Sequence, residues 1–203
     1  MNNASILIDR NFSAQKFRLF FLLFLSITIS GCSNLISATR DKPIGENYGK
    51  RTAGAIIDDQ WIETKARVNL KKIDKRFKKS QIIIKSFNGV VLITGNVPQK
   101  DMRDIAKDTL QKIRKVRIVN NHLNISPPRA SSARLSDVIL KRKVKMRFLL
   151  EKSVPHNRVE VVVNDGVIFL MGLVTQNEAE KIIEETEKSY GLQKIVKVFE
   201  FIN

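Results

Sequence analysis

The strongest constraint on the fold is that the chain repeats itself. The stretches 88–97 (NGVVLITGNV) and 165–174 (DGVIFLMGLV) place their glycines and first and last valines 77 residues apart. Apolar positions upstream of these stretches recur at an offset of 78, and those downstream recur at an offset of 76. A sequence made of two related copies predicts two similar domains, with small insertions confined to loops.

Each copy is predicted to begin with a helix that buries one apolar stripe. The stripe repeats every four residues, and one acidic residue near each helix start, Asp59 or Asp137, suits the positive end of the helix dipole. The stripes are Ile62, Ala66, Leu70 in the first copy and Leu140, Val144, Phe148 in the second.

A hairpin, a second helix and a last strand complete each copy. Alternating apolar residues flank Asn88-Gly89 and Asp165-Gly166, pairs that tolerate the positive φ of tight hairpin turns. The second helices are predicted at about 99–113 and 176–189. The order αββαβ predicts an α+β fold in which each three-stranded sheet carries both helices on one face. Units of about 70 residues bury only about 60% of their chain surface, so packing between them is expected to help.

The two hairpin stretches resemble the signature of the BON domain, Asp-Gly-x-Val-x-Leu-x-Gly-x-Val, within an αββαβ unit. The resemblance covers about 58–203; Asn88 departs from the Asp of the pattern, and Phe169 and Leu170 shift its apolar positions. It implies interaction with phospholipid and support of envelope integrity, with no reaction catalysed. Gly95 and Gly172 are expected to let the backbone turn or approach the following helix.

The N-terminus has the pattern of an export signal. A basic start precedes an uncharged apolar run over 19–29, which is shorter than the roughly 20 residues that span a bilayer. Ile29-Ser30-Gly31-Cys32 resembles a bacterial lipobox, which implies acylation of Cys32 and removal of 1–31. Ser33 after the cysteine implies sorting to the outer membrane. The alternatives are a plain signal peptide that contains a cysteine and a short buried helix.

These observations predict the organisation of the chain. Two BON-like units behind a lipobox resemble the dual-BON-domain outer-membrane lipoproteins of Gram-negative bacteria, anchored at the periplasmic face. The predicted segments are a signal peptide (1–31), a tether (32–55), domain 1 (56–126), a linker (127–133) and domain 2 (134–203).

The charge of +16 predicts an anionic partner, either nucleic acid or lipid. Export argues against nucleic acid, which would require a cytosolic chain with intact residues 1–31, and aromatic residues for base stacking are sparse. The first helix of domain 2 is the best lipid candidate because cations adjoin apolar side chains that lie off its core stripe. A wider core stripe with a solvated basic face is the alternative, with Leu149 and Leu150 packed on the sheet or on domain 1. The predicted phospholipid-binding residues are Ile139, Lys141, Arg142, Lys143, Lys145, Met146, Arg147, Leu149 and Leu150.

A second basic patch in domain 1 is ranked lower, as a solvated face. Trp61 and Phe77 are candidates for interface contacts there, although Trp61 fits equally well between the domains. The alternative function is a protein-interaction module that docks on envelope assembly machinery through Trp61, Phe77 and exposed strand edges. The patch comprises Lys65, Arg67, Lys71, Lys72, Lys75, Arg76, Lys78 and Lys79.

Catalysis is poorly supported by the sequence. One cysteine and two histidines cannot form a Cys₄ or Cys₂His₂ zinc site. His122 is expected to be exposed on the last strand of domain 1, and His156 lies in a loop, so neither is a candidate base. We therefore predict a protein that is not an enzyme and that has no cofactor and no metal.

Overall fold

The computed structural model describes residues 49–203. The predicted signal peptide, Cys32 and most of the predicted tether lie outside the described residues. Short 3₁₀ turns lie at Lys75–Lys78 and His156–Arg158. The helices are α1 (Ala53–Ile73), α2 (Asp101–Gln111), α3 (Ser131–Leu150) and α4 (Gln176–Glu187), and the strands are β1 (Gln81–Phe87), β2 (Val90–Val97), β3 (Ile118–Ile125), β4 (Val159–Asn164), β5 (Val167–Val174) and β6 (Lys194–Phe201).

Each half of residues 49–203 has the predicted order αββαβ. In both sheets the central strand pairs antiparallel with the strand before it and parallel with the strand after it. The parallel pairing follows because a helix, α2 or α4, connects the second strand to the third. The predicted α+β class with tandem three-stranded sheets is therefore correct.

The predicted helix stripes form the two helix-facing cores. Ile62, Ala66 and Leu70 of α1 pack against the first sheet, and Leu140, Val144 and Phe148 of α3 pack against the second. All of them are buried, which confirms the stripes. α2 and α4 contribute to the same faces, so each sheet carries both of its helices on one side.

The hairpin turns have the conformation that their sequences favour. Asn88 and Gly89 have φ values of 53° and 76°, and Asp165 and Gly166 have 56° and 67°. Positive φ at both central residues is the signature of the type I′ turn, whose twist matches that of the flanking strands. The substitution of Asp by Asn at position 88 leaves this geometry unchanged.

The predicted role of Gly95, an approach to the following helix, is wrong. Its φ is 129°, and a Cβ atom there would lie 2.1 Å from the Gln81 carbonyl oxygen of β1. Gly172 approaches the Arg158 carbonyl oxygen before β4 in the same way, with its would-be Cβ 2.8 Å from that atom. Both glycines therefore allow close pairing of neighbouring strands, rather than an approach to the following helix.

The two sheets pack against each other through the faces that the helices leave uncovered. Seven buried side chains from both halves form this contact, which we call the inter-sheet core. The result is a four-layer arrangement in which α1 and α2 cover one outer side and α3 and α4 cover the other. The predicted packing between the domains is confirmed. The inter-sheet core consists of Phe87, Val90, Leu92, Val162, Phe169, Met171 and Val198.

Two helices begin earlier than the predicted domain limits. α1 begins at Ala53, inside the predicted tether, because the Thr52 hydroxyl accepts a hydrogen bond from the Ala55 N–H at 3.1 Å. α3 begins at Ser131, inside the predicted linker 127–133, because only Pro127 and Pro128 oppose helix formation there.

The three cores all lie within residues 49–203, in a compact unit that runs over Asn47–Asn203. A fragment of residues 47–203 therefore keeps every apolar cluster described above. No helix within residues 49–203 has both the length and the apolar character required to cross a membrane.

Candidate functional site

The helix α3 carries a second apolar stripe on the side opposite its core stripe. At about 100° per residue, Leu135, Ile139 and Met146 lie within about 40° of one another around the helix axis. Leu149 and Leu150 extend this stripe and are 60% and 76% exposed. The alternative in which these two leucines pack on the sheet or on domain 1 is therefore wrong. The α3 outer face comprises Leu135, Val138, Ile139, Met146, Leu149 and Leu150, all exposed.

The five predicted cations of α3 fall into two groups. Lys141 and Lys145 both reach Glu160 of β4, with N–O distances of 3.3 and 3.7 Å. Arg147 binds the Glu185 carboxylate of α4 at 3.2 Å and also donates to its carbonyl oxygen. These three cations therefore fasten α3 to its own domain.

Arg142 and Lys143 form the second group. Both are exposed, and neither has an ion-pair partner among residues 49–203. Arg142 lies within the α3 outer face, about 20° from the direction of Leu135, and Lys143 lies at its border. The outer face of α3 therefore combines uncompensated positive charge with exposed apolar side chains.

A groove of about 430 Å³ borders α3 between the edge strands β1 and β4. Three of its four cations are compensated by acids: Lys85 by Glu63, Arg129 by Asp137 and Asp165, and Lys141 by Glu160. Within residues 49–203, the side chain of the fourth, Arg134, donates only to the Ser131 hydroxyl, so this groove offers one uncompensated cation, whereas the outer face of α3 offers two beside exposed apolar side chains.

An arginine–aspartate pair fixes each first helix to its hairpin turn, and sequence reasoning missed this contact. Asp137 of α3 accepts hydrogen bonds from the N–H groups of Asp165 and Gly166 at 3.0 and 2.9 Å, and Arg129 lies 2.6 Å from the same carboxylate. Because Asp137 precedes Lys141 by one helical turn, this contact sets the position of the outer face of α3. We call this arrangement the turn latch.

The turn latch of domain 1 is more deeply buried. Asp59 is 2% exposed and accepts hydrogen bonds from the Asn88 and Gly89 N–H groups, the Ser86 hydroxyl and Arg51. Burial alone raises the pKa of Asp59, but these hydrogen bonds together outweigh it, so the pKa lies below its ordinary value. The sequence signal was present, since Arg51 and Arg129 recur at the same offset of 78 as Asp59 and Asp137.

His122 is not exposed as predicted. Its ring lies against Phe169 of the second sheet, with the ring centroids 5.1 Å apart. Burial lowers the pKa of His122, and the charges of Lys194 and Arg103 lower it further. The residue therefore serves the contact between sheets. Among residues 49–203, no cluster of three His, Cys, Asp or Glu side chains is placed to hold a metal ion.

The lower-ranked basic patch of domain 1 also differs from its prediction. Phe77 is buried in the helix-facing core, so the predicted interface contact by its ring is wrong. Arg76 is held by Asp74 and Asp101, each at 2.6 Å. Trp61 is 60% exposed on α1, which excludes a position between the domains.

Two stretches of the chain, residues 58–127 and 136–203, match the model of the BON domain. The chain therefore belongs to the BON domain family and carries two such domains in tandem. The outer membrane lipoprotein DolP of Haemophilus influenzae is 30% identical over 187 residues, which are 92% of this chain and 96% of that protein. The predicted resemblance to dual-BON-domain outer-membrane lipoproteins is confirmed.

Two further relatives are more distant. The 21 kDa hemolysin of Actinobacillus pleuropneumoniae is 24% identical over 152 residues, covering 75% of this chain and 78% of that protein. The osmotically-inducible protein Y of Escherichia coli is 25% identical over 146 residues, covering 71% and 72%. In each case the similarity extends across most of both chains.

Proposed function

We propose that this chain is a lipid-anchored, non-enzymatic protein of the periplasmic face of the outer membrane, and that it binds anionic phospholipid through the outer face of α3. The observation that carries the proposal is the exposure of Leu149 and Leu150 beside Arg142 and Lys143. A helix with this composition lies in the plane of a bilayer surface, with its apolar side among the acyl chains.

The expected free energy of binding favours a reversible contact between α3 and the bilayer. Each lysine or arginine near an anionic surface contributes about 1 kcal/mol, so Arg142 and Lys143 together supply about 2 kcal/mol at low salt. Full burial of a leucine side chain adds about 1.5–3 kcal/mol. Since Lys141, Lys145 and Arg147 are held by acids, we assign them to the support of α3, although the sequence analysis placed them in the lipid site.

The test is co-sedimentation of the 47–203 fragment with vesicles. Replacing Leu149 and Leu150 by glutamate is expected to weaken binding to vesicles of phosphatidylethanolamine and phosphatidylglycerol at least about ten-fold, because it removes apolar insertion and adds repulsion. Arg142→Glu with Lys143→Glu is expected to have a similar effect that shrinks as salt rises.

The matched control is Lys194→Glu with Lys197→Glu. It changes the net charge by the same amount on β6, at the sheet edge away from β4 and α3. Binding by this variant should fall by much less. Equal pelleting of the parent fragment with neutral and anionic vesicles would overturn lipid recognition by α3.

Anchoring is proposed to occur at Cys32, the only cysteine of the chain. Intact mass of the mature protein should show an acylated N-terminal cysteine and the absence of residues 1–31. Cys32→Ser should abolish incorporation of labelled palmitate and move the protein out of the outer-membrane fraction. A native protein that retains Met1 would contradict the proposed anchor.

Support of outer-membrane integrity is the proposed outcome of this binding. Cells that lack the protein should become permeable to large antibiotics, and the Leu149→Glu, Leu150→Glu variant should fail to restore the barrier. A variant that loses vesicle binding but restores the barrier would point instead to docking on envelope assembly machinery.

A further inference from the structure

The outer side of α1 repeats the pattern of the α3 outer face. Ile57, Trp61 and Val68 of α1 correspond to Leu135, Ile139 and Met146 of α3 at the repeat offset of 78, and all six are exposed. As in α3, the three residues of α1 lie within about 40° of one another and opposite the buried stripe of the same helix. We call Ile57, Trp61 and Val68 the α1 outer face.

Positive charge surrounds the α1 outer face. Its exposed cations have no ion-pair partner among residues 49–203, in contrast to Arg76 further along the chain. A groove of about 370 Å³ beside Trp61 is lined by Lys65, Arg114 and Lys115, of which Lys115 is paired with Asp58 at 2.6 Å. The unpaired cations of α1 are Lys65, Arg67, Lys71 and Lys72.

The positive charge around the α1 outer face decides which partner can bind there. A second copy of the chain, with the same basic helix and a net charge of +16, would repel it. An anionic bilayer attracts the lysines and also accepts a tryptophan, whose amphipathic ring settles at the headgroup level. Under the proposed anchoring, α1 begins 21 residues after Cys32, a reach of up to about 70 Å when extended, so the helix stays within range of the anchoring bilayer.

We propose that the α1 outer face is a second bilayer-contact surface, with Trp61 inserted among the lipid headgroups. The inference rests on the proposed function for two things, the anchor at Cys32 and the nature of the ligand, an anionic phospholipid surface. It assigns membrane contact to a domain 1 surface that the sequence analysis had ranked as merely solvated.

Trp61 is the only tryptophan of the chain, so its fluorescence reports on this face alone. The 47–203 fragment with Leu149→Glu and Leu150→Glu removes the contribution of α3. Adding vesicles of phosphatidylethanolamine and phosphatidylglycerol to this variant should shift the Trp61 emission to shorter wavelength. Lipids brominated on their acyl chains should quench that emission, and neutral phosphatidylcholine vesicles should leave it unchanged.

Two variants serve as controls. Adding Ile57→Glu and Val68→Glu should abolish the shift while leaving the fold intact, as checked by circular dichroism, because both residues are exposed. Moving the fluorophore, with Trp61→Phe and Tyr190→Trp, should give no shift, since Tyr190 is an exposed residue of the loop after α4.

The outcomes separate this inference from the proposed function. If the parent fragment pellets with anionic vesicles but its Trp61 emission does not change, the α1 contact is refuted and the α3 contact stands. If the α3 variant binds as tightly as the parent and its Trp61 emission shifts, the α3 contact fails and the α1 contact stands. A shift in the α3 variant with weakened pelleting supports both.

Discussion

Replacing Asp59 with alanine is expected to destabilise the protein by about 3–5 kcal/mol, the range for removing one partner of a buried ion pair. The substitution leaves the Asn88 and Gly89 N–H groups without their acceptor and Arg51 without its counter-charge. Since whole domains are stable by only about 5–15 kcal/mol, urea unfolding followed by circular dichroism will detect the loss readily.

Asp137→Ala is the matched variant in domain 2. Asp137 makes the same contacts to its turn, but it is less buried, and Asn164 occupies the place of Ser86, so no hydroxyl donates to it. A smaller loss of about 1–3 kcal/mol is expected. Equal losses in the two domains would contradict the assigned importance of burial at Asp59.

The effect of Asp59 should also depend on pH. Because its pKa in the folded protein lies below the ordinary value of 3.8, its contribution is fully present above that value and is lost as the pH falls through the folded pKa. The difference in stability between the parent and Asp59→Ala should therefore be constant near neutral pH and shrink below about pH 4.

The second large effect is expected at the inter-sheet core. Phe169 is buried there against His122, so Phe169→Ala should reduce the free energy of unfolding by about 3–5 kcal/mol. Because the cavity lies between the two sheets, both domains should lose stability together in a single urea transition.

Phe201→Ala provides the control for this change. Phe201 ends β6 and is 58% exposed, so its removal should change stability by less than about 0.5 kcal/mol. Two separate unfolding transitions, of which Phe169→Ala shifts only one, would show that the inter-sheet core does not couple the domains.

The helices, hairpins and domain order were predictable because each depends on local periodicity and turn chemistry. The helical repeat alone predicts the stripe Ile62, Ala66, Leu70. The conformational freedom of Asn88 and Gly89 alone predicts the hairpin turn. The second helices were predicted at about 99–113 and 176–189, whereas they run over Asp101–Gln111 and Gln176–Glu187. Such ends depend on local capping, as at Thr175, whose hydroxyl accepts a hydrogen bond from the Glu178 N–H.

Apart from the helix ends, the errors of sequence reasoning concern contacts between segments that are distant in sequence. His122 was expected to be exposed because its own strand alternates, but a second sheet covers that side. Phe77 follows α1 in a basic stretch, and nothing local indicates that its ring turns into the core. Likewise, the sequence alone does not distinguish the ion-paired cations Lys141 and Arg147 from the unpaired Arg142. The difference depends on where the fold places Glu160 and Glu185.

The inter-sheet core has a consequence for how such a protein can evolve. Each repeat presents to the other an apolar surface that would be in water if its neighbour were deleted or exchanged. Substitutions on one inner surface must therefore be matched by substitutions on the other, whereas the outward sides of α1 and α3 contact no partner repeat and need no such match. The pair of repeats, rather than the single repeat, is the unit that can be inherited, transplanted or fused to a new partner.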